Sequence, residues 1–136
     1  MLRLHATPTP DTDALLTRAM APETQRIQAA LHRYRTDPDW QLHTWEVAGQ
    51  VVCAAGLTTQ GTHATVLHIG THPDHTGQGH ARALLHALMD TLHLHTLTAE
   101  TDDDAADFYR HSGFHVQEIP SPWDRRRYRC TLTREA

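Results

Sequence analysis

The chain of 136 residues contains no lysine. Its 12 cationic side chains are therefore all arginines, set against 16 acidic residues for a net charge of -4 with histidines neutral. That balance excludes a general nucleic-acid binder, which needs a basic face to displace counterions from phosphates. Cysteine is scarce too. Cys53 and Cys130 each sit inside an alternating apolar run, without the close pairing of metal or redox motifs, and read as buried free thiols. No run approaches the roughly 20 apolar residues that a bilayer span requires. The start, Met1-Leu2-Arg3-Leu4-His5, lacks the apolar block of a secretory signal. The expectation is a cytoplasmic protein with no membrane partner. Aromatics are only 6% of the residues and the hydrophobic set 39%, which suffices for one core in a single domain, 1–136.

Histidine, by contrast, is plentiful, with 13 residues spread along the whole length. His72-Pro73-Asp74-His75 and His93-Leu94-His95 come nearest to metal-ligand pairs. No His-Glu-x-x-His arrangement and no cysteine pair completes a set of ligands around them, so no metal site is expected. The basic cluster Arg125-Arg126-Arg127 with Arg129 reads as a solvated edge strand whose charges discourage aggregation, in preference to a phosphate-binding patch.

Periodicity orders the elements. Leu2 to His5 alternates as a short strand, Thr7-Pro8-Thr9-Pro10 breaks it, and Asp11 is placed to cap a helix reaching about Met20. A second helix runs from Pro22, suited to the first helical position, to about Arg35; Ile27, Ala30, Leu31 and Tyr34 form its apolar stripe. Leu42 to Ala48 and Val51 to Thr58 are strands with Gly49-Gln50 as the hairpin turn, and Ala64 to Thr71 is a third strand after the turn Gln60-Gly61-Thr62-His63. From Gly79 to Leu92, Ala81, Leu84, Leu85, Leu88 and Leu92 share a helical face. His95 to Glu100 is a strand, and Asp102-Asp103-Asp104 opens a helix ending at Gly113. Phe114 to Ile119 and Arg126 to Leu132 close the chain as strands. The order β-α-α-β-β-β-α-β-α-β-β is α+β, with a mixed sheet of about seven strands flanked by about four helices.

Gly77-Gln78-Gly79 falls between a strand and a helix, where glycines let backbone approach a ligand and the N–H groups of the helix start favour an anion. A Walker A loop would need Gly-Lys-Ser or Gly-Lys-Thr, and the dinucleotide fingerprint a third glycine near Arg82; neither is present. The stretch Ile69-Gly70-Thr71-His72-Pro73-Asp74-His75-Thr76-Gly77-Gln78-Gly79-His80-Ala81-Arg82-Ala83-Leu84-Leu85 resembles the acetyl-CoA signature of the GNAT superfamily, Gln/Arg-x-x-Gly-x-Gly/Ala. Thr76 stands in place of the leading Gln/Arg, while Gly79 and Ala81 match. Leu97-Thr98-Ala99-Glu100, followed by Phe108-Tyr109 and Gly113-Phe114, is similar to the family's second signature.

This resemblance implies a mostly antiparallel GNAT-like fold and an N-acetyltransferase using acetyl-CoA as co-substrate, with direct attack by a primary amine in a ternary complex. It implies that the strand Ala64 to Thr71 splays from His95 to Glu100. Backbone groups near Ile69, Gly70 and Thr71 would then hold the pantetheine arm and polarise the acetyl carbonyl, and N–H groups of Gly77, Gln78, Gly79, His80, Ala81 and Arg82 would hold the pyrophosphate. Tyr109 matches the general acid. Asp102, where relatives often carry an asparagine, also reads as a helix N-cap. The positions of the family's base glutamate correspond to Thr65 or Leu97, which leaves His68, Glu46 and Glu100 as candidate bases, His68 foremost because imidazole titrates near neutral pH. Tyr34, Trp40 and Trp123 lie in regions that would line the acceptor side. The acceptor is expected to be an amine-bearing small molecule or peptide. Many proteins of this fold pair through their last strands, so a homodimer is compatible with the reading. The substituted Thr76 and the absent base glutamate also fit a CoA-binding sensor without catalysis.

Overall fold

The computed structural model describes residues 1–122 and 124–134. Seven strands form one sheet in the order β1-β2-β3-β4-β5-β7-β6: β1 Leu2–Arg3, β2 Gln41–Val47, β3 Gln50–Gln60, β4 His63–Thr71, β5 Thr96–Thr101, β6 His115–Ile119 and β7 Arg127–Thr133. Only the β4/β5 pair is parallel, and its crossover is α3, His80–Thr91. The α+β class and the mostly antiparallel sheet therefore stand as expected.

Two hydrophobic layers enclose the sheet. On one face α3 and α4 (Asp103–His111) cover the alternate residues Cys53, Ala55 and Leu57 of β3 with Leu84, Leu85 and Leu88. On the other, α1 (Pro10–Thr17) and α2 (Thr24–Thr36) bring Leu15, Leu16 and Tyr34 onto Leu42 and Ala54. Each fully buried leucine contributes about 1.5–3 kcal/mol of transfer free energy. Gly70 permits the close approach of α1 to β4, because a Cβ there would lie 1.8 Å from the carbonyl oxygen of Leu15.

Several boundaries differ from the sequence reading for identifiable reasons. The cap of α1 is Thr9, not Asp11: Thr12 N–H donates to its hydroxyl, Thr9 N–H donates to Thr12 Oγ1, and Pro10 takes the position where a missing N–H costs nothing. Pro22 stays outside α2, whose cap is Glu23, because a backbone turn from Glu23 N–H to Ala21 O precedes the helix. The β2–β3 turn is Ala48-Gly49, both at positive φ (51° and 79°), as a tight two-residue hairpin turn needs. Gly113 (φ 92°) closes α4 as expected, with Phe114 N–H on Tyr109 O and Gly113 N–H on Arg110 O. The basic cluster does not belong to an edge strand, since β7 lies between β5 and β6.

His43, on β2, is 0% exposed. Its Nδ1 accepts from His5 N–H and its Nε2 lies 3.1 Å from Gln41 Oε1, an arrangement satisfied only by the neutral Nε2–H tautomer. Burial, then the nearby His5 charge, pushes its pKa down to about 4 from 6.5. Between those values the unfolded chain binds a proton that the folded chain refuses, so stability is present above pH 6.5 and is lost as pH falls towards 4. Denaturant unfolding is expected to show a loss of about 3 kcal/mol across this window. The loss should shrink in His43→Gln, and an unchanged slope in that variant would assign it to other groups.

Candidate active site

The site begins at a break in the sheet. β4 and β5 pair only at His63↔Thr96, Ala64↔Leu97 and Thr65↔Thr98, although both strands run on. Beyond Thr65 they diverge, and a cleft of about 900 Å³ opens between them. A bulge in β4 sits at the opening: Val66 pairs with Leu57 and His68 with Gly56, which leaves Leu67 as the extra residue. One inserted residue exchanges the faces of everything after it. Val66 faces α3, but His68 and Gly70 then face α1 and α2, while Ile69 and Thr71 face α3.

The bulge also decides which backbone groups are free. His72 N–H donates to Val52 O, so by alternation Gly70 directs its N–H and C=O at β3, whereas Ile69 and Thr71 direct theirs at the unpaired edge. Of the three residues expected to meet a ligand by backbone, Ile69 and Thr71 border the cleft and Gly70 does not. Its role is to seat α1.

At one end of the cleft the chain leaves β4 through a short 3-10 turn, Pro73–His75, and enters α3 past Gly77 (φ 72°) and Gly79 (φ 84°). The cap of α3 is Gly79, with no side-chain hydrogen bond and no acidic residue in the first turn. Its N–H groups and the positive end of its dipole, roughly half a charge, thus face outward unneutralised. α4 contrasts with it: Asp102 accepts from Asp104 N–H at 3.1 Å, and Asp103 and Asp104 occupy the first turn. Of the two helix starts, only that of α3 is left to favour an anion. Thr76 and Ala81 line the cleft on either side of the glycines. Gln78 lies 3.1 Å from His80 Nε2 through Oε1, and Arg82 is exposed.

Tyr109 lies across the cleft on α4 at 5% exposure, edge-on to Phe108 and Phe114 at 5.0 and 5.1 Å. Burial, with a smaller push from Cys130, raises its phenol pKa far above 10, and its hydroxyl has no hydrogen-bond partner among the described residues. His68 borders the same cleft, with Nδ1 2.7 Å from the Tyr34 hydroxyl and Trp40 tilted against its ring. Desolvation lowers the His68 pKa and raises that of Tyr34. Gly56 makes room for this pair, because a Cβ there would overlap the Tyr34 hydroxyl at 1.7 Å. Glu46 is not at the site; Arg3 holds its carboxylate at 3.0 Å beside β1. Glu100 borders the cleft, and Thr65 and the buried Leu97 lie where the sheet is still closed. Trp123 lies outside the described residues. Among the described residues no three His, Cys, Asp or Glu converge as a metal site.

A sequence profile of the acetyltransferase (GNAT) domain matches residues 38–116, more than half of the chain. The chain belongs to the GNAT family. As a member of that family it is an acetyltransferase that draws on acetyl-CoA. Solved GNAT structures share its fold throughout. A GNAT acetyltransferase from Elizabethkingia anophelis with acetyl-CoA bound is 15% identical, covers 98% of this chain and 97% of its own, and superposes with a TM-score of 0.69. An acetyltransferase from Bacillus subtilis in complex with CoA is 17% identical with 98% of each chain covered and a TM-score of 0.71. The ribosomal-protein-S18-alanine N-acetyltransferase of Escherichia coli is 21% identical over 98% of this chain and 94% of its own, with a TM-score of 0.67. Among the described residues no helix is long and apolar enough to cross a membrane.

The residues present fit the co-substrate expected of a GNAT enzyme. Among the described residues, nothing beyond the adjoining chain lies within 4 Å of a Cβ built on Gly77 or Gly79, so the space above the loop is open to a pyrophosphate at backbone distance. Sequence reasoning missed three features of the site. The α1–α2 connection, from Arg18 to Pro22, borders the cleft; Arg125 and Arg127 line it although they read as edge-strand charge; and the bulge turns the backbone groups of Ile69 and Thr71, not those of Gly70, to the open edge. No local signal marks a bulge whose cause is the pairing of two strands.

Proposed function

We propose that this GNAT enzyme transfers acetyl from acetyl-CoA to a primary amine by direct attack in a ternary complex, with Tyr109 as general acid and His68 as general base. The observation that carries the reading is the opening of β4 from β5 between an uncapped helix start and a buried phenol with no hydrogen-bond partner among the described residues. When bound, the co-substrate supplies an activated thioester. The chain's part is to bind and to move protons. N–H groups from Gly77 to Arg82 take the pyrophosphate, and the Ile69 or Thr71 N–H, free on the open edge, donates to the carbonyl oxygen as charge gathers there. Tyr109 gives its phenolic proton to the departing sulfur, and its raised pKa keeps that proton in place until then.

His68 faces the side of the sheet opposite α3 and α4, so an amine would approach from the α1–α2 side while the co-substrate occupies the other. The base role requires the tautomer in which Nδ1–H donates to the Tyr34 oxygen, which leaves Nε2 its lone pair. Because burial holds the His68 pKa below 6.5, the neutral base persists into mild acid, and activity is lost only as pH falls through that lowered value. The kcat/KM profile should therefore show an acid limb with its midpoint below 6.5. His68→Gln should lower kcat by about 100-fold and abolish the limb; a variant that keeps the limb removes His68 from the role.

The test of the whole reading joins calorimetric titration with acetyl-CoA to a thiol-release assay over an amine library. Saturable binding with amine-dependent thiol release is the expected outcome. Binding with no thiol released for any amine would leave a CoA sensor and end the transfer reading.

A further inference from the structure

Six arginines, Arg3, Arg26, Arg33, Arg35, Arg110 and Arg134, are each held by a carboxylate at 2.6 to 3.2 Å. Among the described residues the other six are not, and three of those, Arg18, Arg125 and Arg127, come together at the cleft. No carboxylate pairs with any of the three among the described residues, and all three line the cleft. They arrive from two separate parts of the chain, the α1–α2 connection and the start of β7 with the segment before it. Their side of the sheet can be read from register. Tyr128 and Cys130 pack in the core with α4, so Arg127 projects to the opposite face, the one that α1, α2 and His68 share. By the same alternation Leu97 and Ala99 face the core, and Glu100 faces the arginines' side. The uncapped start of α3, which attracts the pyrophosphate, serves the other side of the opening.

We infer that the acceptor is an amine that also carries a carboxylate: Arg127 with Arg18 and Arg125 binds the carboxylate, and Glu100 steadies the ammonium before it loses its proton. This rests on the transfer reading above and names its substrate class. Arg127 is half-buried and Arg18 and Arg125 are exposed. Asp102 and Asp104 also line the cleft but form no ion pair with them among the described residues, and guanidinium groups left unpaired in this way favour a planar anion that they can grip with two parallel hydrogen bonds. A neutral amine of the same shape leaves that gain unused, and a polycation is repelled. Free amino acids and acidic peptides both present this chemistry.

The test uses matched pairs. One is a free amino acid beside its carboxamide. The other is a tripeptide amide with an N-terminal glutamate beside the same peptide with glutamine. Each is titrated calorimetrically onto the protein in the presence of CoA and assayed for turnover with acetyl-CoA. The carboxylate form should bind about 10- to 100-fold more tightly in at least one pair, and the pair that discriminates separates the two sources. Arg127→Gln should collapse that ratio towards one by raising KM for the carboxylate form with kcat and acetyl-CoA affinity retained, and Arg127→Lys should restore part of it. Equal binding within both pairs overturns the inference. So does an Arg127→Gln variant that loses acetyl-CoA affinity, which would assign the arginines to the co-substrate's phosphates. Discriminating binding without any thiol release would uphold the inference about the site while defeating the transfer chemistry.

Discussion

Tyr109→Phe is expected to lower kcat by about 10²- to 10⁴-fold, the usual contribution of a positioned general acid, with acetyl-CoA affinity and fold intact. The substitution is clean because of where the hydroxyl sits. Phe108 and Phe114 hold the ring by edge contacts at 5.0 and 5.1 Å, which a phenylalanine ring reproduces. The hydroxyl has no protein partner among the described residues, so its removal orphans no buried group. If Tyr109 were only a packing residue, the variant would turn over like wild type. Initial rates of thiol release at saturating amine, beside calorimetry with acetyl-CoA, separate the two outcomes. The raised phenol pKa adds a second expectation: no alkaline limb assignable to Tyr109 should appear below about pH 10.

Gly79→Val should cost about 100-fold or more in acetyl-CoA affinity while leaving a folded protein. Gly79 holds φ 84° and ψ 10°, the left-handed region, as the cap of α3. A β-branched residue there costs about 1–3 kcal/mol in backbone strain, which a domain of ordinary stability survives. Among the described residues, nothing beyond the adjoining chain lies within 4 Å of the added Cβ, so the fold offers no steric objection. The objection comes from the ligand. The new side chain fills the space above the helix start and turns its N–H groups away from an incoming pyrophosphate. Two charge-assisted hydrogen bonds lost at about 1.5–3 kcal/mol each account for the expected factor. Near-normal titration by this variant would remove the glycine loop from the site.

Much of this was legible because it is local. The stripe Leu84, Leu85 and Leu88 announces an amphipathic helix whose buried face is the one observed, since a period of 3.6 residues leaves no other choice. Gly113 closes α4 because a left-handed residue ends a helix whatever surrounds it. The glycines before α3 take the left-handed backbone that the tight entry to that helix needs, which is again a local property. Where the reading erred, the deciding contact came from elsewhere in the chain or from competition between neighbouring caps. Thr9 displaced Asp11 because the reciprocal pair with Thr12 satisfies two N–H groups at once.

Composition, periodicity and the two motif stretches thus determined the class, the element order, the glycine-led start of α3 and the tyrosine of α4 that lies across the cleft from it. Each depends on residues within a turn or two of one another. Tertiary structure alone decided the rest. The ladder between β4 and β5 stops at Thr65, the bulge at Leu67 turns His68 towards Tyr34 and frees Ile69 and Thr71, and β7 lies inside the sheet, so that Arg127 and Arg18 line the same cleft. These outcomes depend on pairing between strands far apart in the chain, where a shift of one residue exchanges the two faces, and no local propensity encodes that parity.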